Sequence, residues 1–246
     1  MNRSSQHEAV VLRHRPFGES HALLDLLSPE LGLYQAVAYG ARSRRGSLRG
    51  KVVPFARGHA YLYRDPRQER YKLSDFDPQA YLHAAHADLG IYYHASLWAE
   101  VIVRTHASGD QGEAVYALVC DGYGALAELT RPEPATLVAL SAIVLWRYLD
   151  LLGLRQAISP HYANGGYYVP DEFSMVESDA GHVGAIYLSA EALQFLRAAD
   201  VGTVAEAAAT APGRPALAGV RHVVLAALQA AIGAPLNTVR VGRGYV

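Results

Sequence analysis

Along the first 76 residues, hydrophobic and polar positions alternate in short runs separated by turn residues. In Glu8-Ala9-Val10-Val11-Leu12-Arg13-His14-Arg15, Val10 and Leu12 fall on one face and Arg13 and Arg15 on the other, the period of a half-buried strand. Pro16-Phe17-Gly18-Glu19-Ser20 supplies a turn. A second run, Ala22 to Leu27, ends at Ser28-Pro29-Glu30-Leu31-Gly32, and a third runs from Leu33 to Tyr39, which together predict an antiparallel meander. Beyond residues 40–51 come Val52-Val53-Pro54-Phe55, then His59 to Tyr63, then Arg70 to Phe76. Short strands without crossover helices predict a small closed antiparallel barrel.

From Pro78 the period becomes helical. Tyr81, Ala84, Ala85, Leu89, Tyr92, Tyr93, Leu97, Val101 and Val103 fit one broad face of a long helix, with Asp77-Pro78 as its start signal. The boundary is therefore set at residue 78, giving domains 1–77 and 78–246 and an α+β fold class. Further helices are expected over Gly112 to Leu129, Pro134 to Leu152 with Gly153 as its stop, Ser189 to about Ala199, and Pro215 to Ile232. Residues 154–187 interrupt them as an irregular insertion with Pro160, Gly165-Gly166, Pro170 and Gly181 around Tyr162, Tyr167 and Tyr168. The tail beyond Gly233 is expected to be mobile.

Charge sharpens this division. Residues 1–77 carry 13 Lys and Arg against 8 Asp and Glu, and residues 78–246 carry 9 against 15, so a basic module precedes an acidic one. The apolar stretches are broken by charge before membrane-spanning length, so no transmembrane helix is expected. The first residues, Met1 to Gln6, lead directly into the strand pattern without a secretory h-region, which implies a cytoplasmic location. Cys120 is the only cysteine, so disulfides and thiolate-rich zinc sites are excluded, and it reads as a small buried hydrophobe.

The densest chemistry lies between residues 42 and 51, where Arg42, Arg44, Arg45, Arg49 and Lys51 stand with no acid between them and with Ser43, Gly46, Ser47 and Gly50 interspersed. Such a loop suits a phosphate backbone, which it would follow by adapting its shape. Phe17, Tyr34, Tyr39, Tyr61, Tyr63 and Tyr71 lie on neighbouring segments; Tyr61 and Tyr63, sharing a strand face with His59, are the candidates for base stacking. Arg13, Arg15, Arg57, Arg64, Arg67, Arg70 and Lys72 extend the basic surface. No G-x-S-x-G, Walker-type or H-E-x-x-H motif occurs, so nucleotide hydrolysis is not expected and no cofactor is implied. Two other readings stay open. One is a generic oligonucleotide- or RNA-binding module with a helical protein-interaction domain. The other is a small metal-dependent enzyme using His83, His86 and His94.

Ala9 to Ser20, Ser28-Pro29-Glu30-Leu31-Gly32-Leu33, Ala38-Tyr39-Gly40-Ala41-Arg42, Leu48 and Val53-Pro54-Phe55, in this order, closely resemble the opening of RecO proteins. Farther on, the resemblance is one of architecture, with a helical domain interrupted after Tyr148-Leu149-Asp150-Leu151-Leu152-Gly153-Leu154. It implies an N-terminal OB-fold, then an all-helical domain with a zinc-finger-like insertion. That insertion would be degenerate here, since residues 158–184 contain no cysteine, and packing of Tyr162, Tyr167, Tyr168 and Phe173 would hold it.

The resemblance implies a non-enzymatic recombination mediator that binds single- and double-stranded DNA and SSB, anneals complementary strands, and acts with RecR in loading RecA. Arg42, Arg44, Arg45, Arg49 and Lys51 would be its main DNA contacts, with Arg13 and Arg15 behind them. Arg104, Arg147 and Arg155 would rim an apolar groove for the acidic, apolar-ended SSB tail.

Overall fold

A computed structural model describes residues 4–64, 70–106 and 111–246. Two compact units divide the chain: residues 1–83 with 106–123, and residues 84–105 with 124–246.

The first unit is built on five strands, β1 (Ser4–Phe17), β2 (His21–Ser28), β3 (Gly32–Ala38), β4 (Arg57–Arg64) and β5 (Tyr71–Ala80). They close in the order β1-β2-β3-β5-β4, with β3 and β5 parallel and the other pairs antiparallel, consistent with an OB-like barrel. Small and large side chains alternate inside: Ala9, Ala22, Ala36, Ala38 and Ala60 leave space for Leu24, Leu26, Leu62, Leu73 and Phe76. The expected β1 face needs correction. A bulge between Val11 and Arg13 sets Ala9 and Val11 in the interior, and Arg13 and Arg15 follow it opposite Asp25 and Leu23. Val10 and Leu12 are also fully buried, so β1 has two apolar faces where simple alternation gives it one.

Val52 to Phe55 is not a strand. Phe55 has a positive φ of 66°, and hydrogen bonds from Phe55 N to Val11 O (2.7 Å) and from Val11 N to Ala56 O (2.9 Å) fasten this turn to β1. The proposed helix start at Asp77-Pro78 is also corrected, because β5 runs through Pro78 to Ala80 against Gly58 and Arg57. The helical pattern resolves into α1 (Ala84–Ala87) and α2 (Leu89–Thr105). Asp88 starts α2 by accepting a hydrogen bond from Ile91 N at 3.0 Å.

Next comes α3 (Gly112–Ala127), most of which packs with the barrel. A Cβ on Gly112 would press on Gly32, and the Phe55 and Tyr123 rings meet at 5.4 Å. Cys120 is half-buried, and burial raises its thiol above its usual range although Arg57 and Tyr116 hydrogen-bond to it. It therefore has polar neighbours, unlike the purely apolar setting expected.

The second unit contains α4 (Pro134–Leu151), α5 (Ala190–Ala198), α6 (Val204–Ala208), α7 (Arg214–Ile232) and α8 (Asn237–Val241). Helices α4 and α7 are long and apolar enough to cross a bilayer, against expectation, but 61% and 44% of them are buried inside the fold. That burial is what core helices show. The insertion is ordered: β6 (Gly165–Val169) pairs with β7 (Ser174–Val176) and β8 (Ile186–Ser189), and Tyr168 is buried edge-on against Trp146. The tail is ordered too, since Glu100 accepts hydrogen bonds from Asn237 N (2.8 Å) and Thr238 N (2.7 Å).

Candidate nucleic-acid interface

The basic segment after β3 is a chain of tight turns. Ser43 N donates to Gly40 O (2.9 Å), Gly46 N to Ser43 O (3.2 Å), Arg49 N to Gly46 O (3.1 Å) and Lys51 N to Leu48 O (3.2 Å). Ala41, Leu48 and Val52 are buried in the barrel core between these turns. These turns and anchors give the Gly- and Ser-containing loop a defined backbone path. Arg42, Arg44, Arg45 and Arg49 are exposed, and among the described residues none pairs with a carboxylate. The loop entrance is tied to the β1–β2 turn by Arg42 N donating to Ser20 O (2.9 Å) and by Gly40 N donating to His21 Nδ1 (3.0 Å). Burial holds His14 below the usual imidazole range, and the Arg42 charge pushes the same way.

Lys51 differs from the four arginines, for its ammonium pairs with Asp75 at 2.8 Å, an ion pair that raises the lysine and lowers the carboxylate. Arg13 and Arg15 converge on Asp25, which is only 2% exposed: Arg13 Nε donates at 2.7 Å, Arg15 at 3.2 Å and Gln35 Nε2 at 2.7 Å. Both guanidinium groups keep about 40% of their side-chain surface open to solvent. Asp25 went unnoticed in the sequence because it lies in the apolar run of β2. Its register partners, Arg13 and Gln35, become visible only once the strands are paired.

Of the aromatic candidates, Tyr34 is buried against Tyr71 and cannot stack on a base. Tyr61 is exposed but stands in register with Asp75, whereas Tyr63 stands in register with Lys72. Tyr39 is the more open ring at 46% exposure, with His21 edge-on at 4.9 Å and the Lys72 ammonium 5.6 Å from its centroid. Tyr39 and Lys72 were legible only as members of larger groups; their meeting depends on β3 pairing parallel to β5. Arg57 turns to Cys120 and Tyr116, Arg64 lies over Tyr71, and Arg67 is outside the described residues.

The remaining candidates lie in the helical unit. Arg147 donates to the carbonyls of Ala199 (2.5 Å), Val201 (3.3 Å) and Gly202 (2.9 Å), and Arg155 pairs with Asp150 and Asp200. Arg104 instead binds Glu100 (3.3 Å) and Pro235 O (2.8 Å), so the three arginines brace their own unit. Among the described residues no group of three or more His, Cys, Asp or Glu side chains is arranged to hold a metal. His94 is enclosed: Trp98 Nε1 donates to Ser141 Oγ (2.8 Å), Ser141 Oγ lies 2.6 Å from His94 Nδ1, and His94 Nε2 lies 2.7 Å from Tyr245 O. A neutral imidazole satisfies all three contacts, donating from Nε2, and burial lowers it to about 4.

Residues 1–80 match the family described as recombination protein O N terminal. The chain is 31% identical over 146 residues to the DNA repair protein RecO of Heliobacterium modesticaldum, covering 59% of this chain and 50% of that protein. It is 24% identical over 179 residues to the DNA repair protein RecO of a Nostoc species, covering 69% and 60%. Against the RecO of Synechococcus elongatus identity is 42% over 62 residues, covering 25% and 23%. The chain thus spans at most about 60% of the length of these relatives. With residues 1–80 matched by the family's N-terminal domain and the likeness to RecO proteins carried on into the helices, the chain is similar to RecO proteins over its barrel and part of its helical unit.

Proposed function

We propose that this protein works in DNA repair and recombination by binding single-stranded DNA at the loop end of its barrel, without covalent catalysis. One observation carries the reading. Arg42, Arg44, Arg45 and Arg49 are held exposed and, among the described residues, without carboxylate partners on a loop whose Ala41, Leu48 and Val52 are anchored in the core. A polyanion binds such a loop by displacing condensed counterions, and Tyr39 offers a base a ring beside Lys72. Arg13 and Arg15, on their buried carboxylate, would add phosphate contacts along β1.

Neutralising phosphates on two strands lowers their mutual repulsion and lets base pairing proceed, so strand annealing needs only binding. The RecO resemblance extends this reading to duplex DNA, to SSB, and to RecR and RecA in a cytoplasmic recombination mediator.

The test is anisotropy of a labelled single-stranded oligonucleotide across a salt series, comparing the protein with a variant carrying Arg42→Ala, Arg44→Ala, Arg45→Ala and Arg49→Ala. Loss of affinity is expected, with the log–log salt slope shallower by about three for four phosphates released. Absence of binding by either protein at low salt would overturn the proposal.

A further inference from the structure

The helical unit presents a second group of open aromatic rings. Leu89, Tyr92 and Tyr93 share one face of α2 at spacings of three and four. The segment from α8 onward lies against them. Gly242 packs on the Tyr93 ring, Tyr245 stacks on Tyr93 at 5.3 Å with 23° between planes, and Tyr92 meets Tyr93 edge-on at 5.7 Å. Tyr92 and Tyr245 remain 40% and 45% exposed, with Leu89 and Val241 open beside them.

The rings are held in place by backbone. The hydrogen bond from His94 to Tyr245 O and those from Asn237 N and Thr238 N to Glu100 fix both ends of the segment. Arg240 and Arg243 are exposed on it, and among the described residues neither makes an ion pair; Arg240 reaches only Asn237 Oδ1 at 3.4 Å. The neighbouring carboxylates are already engaged, Asp88 by Ile91 N and Glu100 by Arg104 and the two tail amides. Rings flanked by arginines that make no ion pair among the described residues match bases flanked by phosphates.

We propose that this patch is a second binding surface for single-stranded DNA, with bases stacking on Tyr92 and Tyr245 and phosphates meeting Arg240 and Arg243. The choice of DNA rests on the proposed function, but the patch lies wholly in the helical unit and stands or falls separately from the barrel loop. Two strand-binding surfaces on one chain provide for two strands at once, which annealing requires.

The experiment photocrosslinks an oligonucleotide carrying iododeoxyuridine to the full chain and maps the adducts. It compares the protein, the barrel-loop variant, and a patch variant with Tyr92→Ala, Arg240→Ala and Arg243→Ala, whose fold is checked by circular dichroism. Adducts at Tyr92 or Tyr245 are expected in the protein and also in the barrel-loop variant. Adding the patch changes to the barrel-loop variant should weaken its residual binding about fivefold or more. Adducts confined to the barrel, or an unchanged residual affinity, would overturn the patch. Adducts at the patch alone would uphold it and remove the barrel loop as the DNA site.

Discussion

The carbonyl of Gly40 lies against the Cα of Gly46, leaving no room for a Cβ between them. This contact folds the basic loop back on itself and sets the spacing of the arginines on either side. Gly46→Ala must open the turn, so the loop anchors Ala41 and Leu48 shift with it. The expected result is a loss of about 1–3 kcal/mol of stability in denaturant unfolding, together with weaker oligonucleotide binding and no change in net charge. Unaltered binding would mean that the loop's shape has no part in recognition.

Asp25 offers a prediction of opposite sign. Asp25→Asn keeps the shape of the side chain but removes the charge on which Arg13, Arg15 and Gln35 converge. Stability should fall by about 1–3 kcal/mol, because charge-assisted hydrogen bonds are weakened in a buried position. Affinity for single strands should rise and its salt dependence steepen, since two guanidinium groups are released from a carboxylate. A fall in both stability and affinity would show that Asp25 serves by aiming the arginines.

Among the tyrosines, Tyr39 should matter most. Tyr39→Ala is expected to weaken strand binding by about 1–3 kcal/mol, the usual worth of a stacked base, while Tyr61→Ala beside Asp75 changes it less. Anisotropy with an oligothymidylate separates the two, and a larger loss at Tyr61 would move the stacking platform to β4.

His94 gives the helical unit a pH dependence. Its folded-state value near 4 lies below the ordinary 6.5, so the unfolded chain takes up a proton between these limits that the folded chain refuses. Stability should be unaffected by this residue above pH 6.5 and should decline as pH falls toward 4, by about 3 kcal/mol in all. Urea unfolding at several pH values, compared with His94→Gln, measures it; the same slope in the variant would assign the effect to other groups.

The barrel and its basic loop were legible because period-two runs, turn residues and a dense cationic segment are local signals. The β1 bulge was not, since Leu12 reads as one more alternating apolar residue until Val11 and Arg13 are seen to pair with consecutive residues of β2. The start of α2 at Asp88 lost to the louder Asp77-Pro78 signal, although an aspartate accepting from the N3 amide is the same chemistry in either place. Helix α6 carries a readable signature, the Thr203 and Glu206 capping box, set in a stretch of alanines that by themselves mark no boundary. The order of the tail could not be read at all, because it depends on Glu100, Tyr93 and His94 more than 130 positions earlier.

The grouping of residues 106–123 with the barrel also bears on how the protein is made. During synthesis the five strands emerge well before Gly112 to Tyr123, so the nascent barrel must wait for a helix that arrives after α2. A gene fragment ending at residue 80 would encode every strand of the barrel yet omit Tyr123, the ring that meets Phe55 on the turn closing onto β1. Excising the barrel as a working piece therefore calls for a rearranged chain in which residues 106–123 are rejoined to it by a linker, since a simple truncation leaves it unfinished.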